Sequence, residues 1–150
     1  MHFNTLILGA GAAGLMCAAN AGANTLIIDH AKKAGEKIRI SGGGRCNFTN
    51  IGAGPANYLS ANPHFAKSAL ARYTARDFLA LVESHGIAWH EKTLGQLFCD
   101  VSAKEIIAML RGMITSAGVQ IHLQTHIENL ERSDMGYTFT AVSETGQQIV

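Results

Sequence analysis

Near the start of the chain, Gly9-Ala10-Gly11-Ala12-Ala13-Gly14 has the spacing G-x-G-x-x-G, and Asp29 follows about 20 residues on. Each residue type has a physical task. Gly9 permits a tight turn. Gly11 lacks a Cβ, so backbone can approach a pyrophosphate. Gly14 lets a helix pack closely on a sheet. The N–H groups around Ala12 and Ala13 then face the phosphates at a helix N-terminus, where the helix dipole favours negative charge. Asp29 is placed to accept hydrogen bonds from ribose hydroxyls, and its carboxylate would repel a 2′-phosphate. The alternative is a plain packing turn, with Asp29 a solvated strand end.

A second glycine segment follows. Lys37-Ile38-Arg39-Ile40-Ser41-Gly42-Gly43-Gly44-Arg45-Cys46-Asn47-Phe48-Thr49-Asn50 holds three successive glycines between cations. Such a run can turn several N–H groups into one concavity that suits an anion. Lys37 and Arg45 add positive charge, and Arg45 can bind phosphate bidentately. A flexible surface loop with incidental charges is the competing reading.

The elements needed to position these residues are legible. Phe3 to Leu8 reads as a buried strand, Ala12 to Ala21 as a helix and Thr25 to Asp29 as a second strand. Together they make a β-α-β unit, the context the first motif requires. Ala34 to Gly54 reads as a long loop region. Asn62-Pro63 suggests a helix start, with helices over His64 to Tyr73 and Ala75 to His85, the second stopped by Gly86. Ala88 to Glu91 and Gln96 to Cys99 read as short strands. Ser102 and Glu105 have capping-box spacing and open a helix to about Ala117. Val119 to Leu123 is a third strand of the parallel type. Runs at Ile127 to Leu130, Tyr137 to Val142 and Gln148 to Val150 suggest an antiparallel meander.

Composition excludes several classes. With 47% apolar and 15% charged residues, the 150-residue chain can bury a core and is not disordered. The net charge of +1, with no basic run, gives no expectation of nucleic acid or an anionic membrane as partner. Thr5 to Ala23 is charge-free and apolar, yet its small residues and spaced glycines argue against a membrane span or signal peptide. Three scattered cysteines and no secretion signal predict a cytoplasmic protein.

The two glycine segments, Asp29, the Gly95-Gln96-Leu97-Phe98-x-x-x-Ser102 segment and the Gly118-Val119 strand start resemble the YhiN/BaiN-like flavoproteins, bacterial FAD-dependent oxidoreductases also labelled the aminoacetone-oxidase family. The resemblance covers nearly the whole chain. It implies an α/β, Rossmann-like fold of the glutathione-reductase type, with a parallel sheet and an antiparallel β-meander, C-terminally incomplete. Residues 1–150 would be the N-terminal portion of an FAD/NAD(P)-binding domain, with the substrate domain absent.

The resemblance also implies roles. Gly9, Gly11, Ala12, Ala13 and Gly14 would hold the FAD pyrophosphate. Asp29 would hold the ribose, where relatives often carry Glu, and His30 would sit beside the adenosine, where they often carry Lys. Lys37, Ser41, Gly42, Gly43, Gly44, Arg45, Cys46 and Asn47 would line the pyrophosphate–flavin side. Ile127 would offer backbone groups to the adenine edge. Cys99 replaces a proline that often follows Phe98 in relatives.

The expected function is therefore the FAD-binding part of a flavin-dependent oxidoreductase, with NAD(P)H or another electron donor or acceptor as further partner and an unassigned small-molecule substrate. No catalytic residue is assigned. The alternatives are a truncated, non-catalytic nucleotide-binding remnant or partner-dependent subunit, and an NAD-binding dehydrogenase domain, for which the second glycine loop is not needed. Cys17 reads as core packing and Cys99 as a strand residue. Cys46 is a candidate redox thiol beside Arg45, against the commoner outcome of a buried structural thiol. Seven histidines show no H-E-x-x-H spacing, so no metal site is expected.

Overall fold

The computed structural model describes residues 1–148. The chain divides into two compact units, one of Met1–Lys37 with the chain from Leu110 onward, the other of Ile38–Met109.

The first unit is built on a parallel sheet of β1 (Thr5–Leu8), β2 (Thr25–Ile28) and β6 (Gln120–His122), in the order β1-β2-β6. All four residues of the central β2 are buried, as expected of a parallel strand covered on both faces. Helix α1 (Ala12–Ala21) connects β1 to β2 and packs on both strands. Alanine, leucine and methionine give it helix propensity, and Gly22, at φ 81°, ends it in a conformation that side-chain-bearing residues avoid. An antiparallel hairpin, β7 (Thr125–Ser133) and β8 (Gly136–Ser143), turns through Asp134-Met135. Its Ala141, Ile127 and Phe139 pack with Leu26, Ile28, Phe3 and Leu6. Gln148 bridges to Val142, the start of the expected third meander strand; residues 149 and 150 lie outside the described residues.

The second unit holds a small antiparallel sheet of β3 (Asn47–Asn50), β5 (Gln96–Cys99) and β4 (Trp89–Glu91), in the order β3-β5-β4. Helix α4 (Ala75–Ser84) packs on β3, with the Phe48 and Phe78 rings 6.2 Å apart. Thr74 caps α4: its hydroxyl accepts the Asp77 N–H, while the Asp77 carboxylate accepts the Thr74 N–H at 2.7 Å. Helix α5 (Ala103–Ser116) starts with the Ser102 N–H donating to Glu105 at 3.2 Å, as the sequence spacing anticipates.

Three expectations need correction. The region Ala34 to Gly54 is not one long loop: it contains helix α2 (Glu36–Ile40), a tight turn over Ser41–Gly44 and strand β3. The helix expected over His64 to Tyr73 is only α3 (Lys67–Arg72); the residues around Pro63 form turns, with Asn62 Oδ1 accepting the His64 N–H at 3.0 Å. Cys17 is exposed rather than core, because only Leu15 and Ala18 of α1 are buried.

Candidate functional site

At the carboxyl ends of β1 and β2, Leu8, Gly9, Ile28, Asp29, His30, Thr125, His126 and Ile127 line a cleft of about 390 Å³. Four of the residues singled out in the sequence, Gly9, Asp29, His30 and Ile127, thus share one wall. The position agrees with the general placement of ligands beyond the carboxyl ends of parallel strands. Leu8, Ile28, Thr125 and His126 were not anticipated. Their signal was present, since they are the strand-end neighbours of residues that were.

The three glycines divide their tasks. Gly9 has φ +105°, outside the range most L residues adopt. A Cβ on Gly14 would stand 1.8 Å from the Gly9 carbonyl oxygen and 3.4 Å from Ile7 Cγ2, so no side chain fits between α1 and β1. A Cβ on Gly11 would meet nothing within 4 Å; the space above it is open, and a larger side chain would fill it. Gly11 is the N-cap of α1 and provides no side-chain cap, and the first turn holds no acid. The first helical amides, which an α-helix cannot satisfy internally, are therefore left without a side-chain cap at Gly11 or an acid in their own turn.

Asp29 shapes this loop. One carboxylate oxygen accepts the Ala10 N–H at 2.5 Å and the other the Ala31 N–H at 2.8 Å. The Ala10 carbonyl in turn accepts the Gly35 N–H at 2.8 Å. Both polar groups of Ala10, a residue 1% exposed, are thus fixed from the segment after β2. Each carboxylate oxygen keeps a further lone pair for a hydroxyl donor. The Asp29 side chain is 13% exposed, whereas His30, with Nδ1 at 3.5 Å from it, is 92% exposed. Lys37 lies in the same unit, within α2.

The second glycine segment lies in the other unit. Gly42 and Gly43 are left-handed, at φ 58° and 67°. A Cβ on Gly42 would come within 2.6 Å of a Phe98 ring carbon and 2.8 Å of the Asn47 nitrogen, so this turn tolerates only glycine there. The Arg45 and Cys46 amides donate back to the Gly42 and Ser41 carbonyls, at 3.4 and 3.1 Å, and the Arg45 carbonyl accepts the Cys99 N–H at 2.9 Å. The loop is therefore a braced turn, anchored to β5. Phe98 beneath it carries the His90 ring stacked at 17° and the Lys92 ammonium 4.2 Å from its centroid. Arg39, absent from the sequence-based assignment, has a buried Nε with no hydrogen-bond partner among the described residues.

Cys46 is buried and free. Burial pushes its thiol up, against a lowering hydrogen bond with Ser41. Cys99 is pushed up to about 12, by burial first and then by Cys46, Glu105 and Asp100. A reactive thiol is favoured by a depressed pKa and exposure, so burial favours a structural role for both thiols over a redox role for Cys46. Among the described residues no helix is long and apolar enough to cross a membrane.

Comparison with known proteins agrees with this architecture. Two ribosomal RNA dihydrouridine synthases are similar: that of Escherichia coli is 53% identical over 140 residues, 91% of this chain and 35% of its own. That of Haemophilus influenzae is 53% identical over 134 residues, 87% of this chain and 33% of its own. The chain thus spans about a third of these relatives. Among solved structures, a 3-ketosteroid-delta4-(5alpha)-dehydrogenase from Rhodococcus jostii superposes with a TM-score of 0.65 at 14% identity, over 99% of this chain and 44% of that one; at such identity the likeness is one of fold. The family model for the HI0933-like protein Rossmann domain matches residues 3–150, and the chain belongs to that family.

Proposed function

We propose that this chain holds the adenosine diphosphate end of FAD and forms the nucleotide-binding part of a flavin-dependent oxidoreductase. The observation that carries the reading is the cleft at the ends of β1 and β2, where Gly9, Asp29, His30 and Ile127 meet beside the uncapped start of α1. The residues present fit the cofactor. The amides of Ala12 and Ala13 would take the pyrophosphate, the space over Gly11 would admit it, Asp29 would accept the ribose hydroxyls, and Ile127 backbone would meet the adenine edge. Lys37, in the same unit, would add a cation on the phosphate side. When bound, the flavin supplies the electron chemistry; the protein binds, orients and screens it.

The finer reading concerns the reaction. The relatives' name, at 53% identity, favours reduction of a uridine base in ribosomal RNA over the amine oxidation suggested by the family label. NAD(P)H or another donor would reduce the flavin. The chain spans about a third of those relatives, and we assign it cofactor binding rather than the whole of substrate handling.

Titration with FAD tests the cofactor. Gly11→Val should weaken binding about tenfold or more, about 1.4 kcal/mol, with an unchanged circular dichroism spectrum. Equal affinity in the two proteins would remove the glycine loop from the site.

A further inference from the structure

The net charge of +1 conceals a strong asymmetry. Between Glu36 and Asp77 there is no acidic residue, while Lys37, Arg39, Arg45, Lys67, Arg72 and Arg76 all fall there. The other 110 residues carry six Lys and Arg against all 11 acids. The charge is also available. Among the described residues the ion pairs are three His–carboxylate contacts, none with a lysine or arginine. The acid that ends the stretch, Asp77, is hydrogen-bonded by Thr74 and keeps its charge beside Tyr73.

The C-terminal part of this stretch is a surface segment. From residue 51 to residue 77 only Ala66 is buried. Tyr58, Phe65 and Tyr73 are 43%, 53% and 43% exposed, and His64, Lys67, Arg72 and Arg76 are exposed among them. Tyr58 and Phe65 meet edge to face at 6.4 Å, so each leaves a ring face open. Exposed aromatic side chains interleaved along the chain with exposed cations, with Asp77 the one acid among residues 37–77, are the chemistry of a single-stranded nucleic-acid platform: bases stack on the rings while Lys and Arg follow the backbone. A purely apolar partner would not account for the cations, nor for the missing acids.

We infer that Tyr58, Phe65, Lys67, Arg72, Tyr73 and Arg76 form a docking surface for single-stranded RNA. The inference rests on the reading above that the chain serves an enzyme acting on ribosomal RNA, and gives that enzyme a recognition surface in this domain, distinct from the cofactor cleft.

The test is fluorescence anisotropy of the 150-residue chain with a labelled single-stranded RNA of mixed sequence, about 12 nucleotides long, across a salt series. The same RNA annealed to its complement is the comparison. The chain should bind the single strand more tightly than the duplex. Lys67→Gln/Arg72→Gln/Arg76→Gln should weaken binding about tenfold or more and lower the slope of log affinity against log salt by about 2. Tyr58→Ala/Phe65→Ala should weaken binding several-fold and leave that slope unchanged. Both variants should retain the wild-type circular dichroism spectrum and FAD affinity. Absent RNA binding, or equal binding by wild type and both variants, would overturn the inference. So would a concentration-dependent dimer, seen in sedimentation and lost in Tyr58→Ala/Phe65→Ala, in place of RNA binding. Because FAD is titrated separately, loss of this surface with FAD uptake intact sinks the docking site alone, whereas a chain that takes up no FAD sinks the preceding reading.

Discussion

At the scale of single residues, the first glycine motif is three different constraints rather than one. Gly14 answers to packing and Gly9 to backbone conformation, while Gly11 borders open space that we propose the ligand fills, and substitution should separate them. Gly14→Ala forces a methyl group onto the Gly9 carbonyl, 1.8 Å away, and should cost about 1–3 kcal/mol of stability, the ordinary range for overpacking. Gly11→Ala, with open space above it, should leave the unfolding free energy from urea denaturation within about 0.5 kcal/mol of wild type after allowing for the helix-terminal position. Equal destabilisation by the two would refute this division. The cysteines make a second residue-scale test. Cys17 is exposed, while Cys46 and Cys99 are buried with raised pKa values. Iodoacetamide on the folded protein at mildly alkaline pH should add a single label, located by mass spectrometry on Cys17. Rapid labelling of Cys46 would restore it as a reactive thiol. The sequence did not reveal the exposure of Cys17: α1 is apolar on nearly every side, so no periodicity marks the face that meets the sheet.

At the scale of elements, local signals were reliable where the chemistry is local. The bounds of α1, Ala12–Ala21, and the capping spacing before α5 follow from helix propensity and a side chain reaching three residues along the chain. Strand β3 was missed because it is extended only by virtue of pairing with β5, roughly 50 residues away in sequence, and non-local pairing leaves little trace in its own four residues. The turn at Ser41–Gly44 was legible as glycine-rich, but Phe98, which makes glycine obligatory at Gly42, lies in β5. Around Pro63 the sequence favoured a helix start, yet the nearest regular turn begins at Lys67; Asn62 is used in a side-chain turn instead. Helix α4 gives a prediction at this scale. Thr74→Ala removes its N-cap and should cost about 1 kcal/mol in urea denaturation at neutral pH. The Asp77 carboxyl is held below the usual carboxylate range by its hydrogen bonds to Thr74. A depressed folded pKa means that its contribution is complete above the ordinary Asp range and is lost as pH falls through the lowered value. The stability gap between wild type and Asp77→Asn should therefore be largest near neutrality and shrink in acid; a gap that widens on acidification would contradict the capping account.

At the scale of the whole molecule, a β-α-β frame with a glycine turn and an acid at the end of β2 is legible in the sequence, because each belongs to one continuous pattern of residues; the place of Ile127 follows only from the family resemblance. What was not readable was how β7 returns to that frame: Thr125 and His126 line the cleft together with Asp29, almost 100 residues earlier. The clustering of cations in residues 37–76 is visible in the sequence, but their exposure beside Tyr58, Phe65 and Tyr73 is not; a net value near zero and no basic run give no expectation of nucleic acid. The central claim is that the cleft beyond β1 and β2 receives the adenosine diphosphate of FAD. Two-dimensional amide NMR of the isotopically labelled chain during titration with ADP tests it most directly. The account predicts saturable shifts concentrated at Gly9 to Leu15, at Asp29 to Ala31 and at Ile127. Shifts confined to other parts of the chain, or none at millimolar ADP, would contradict it.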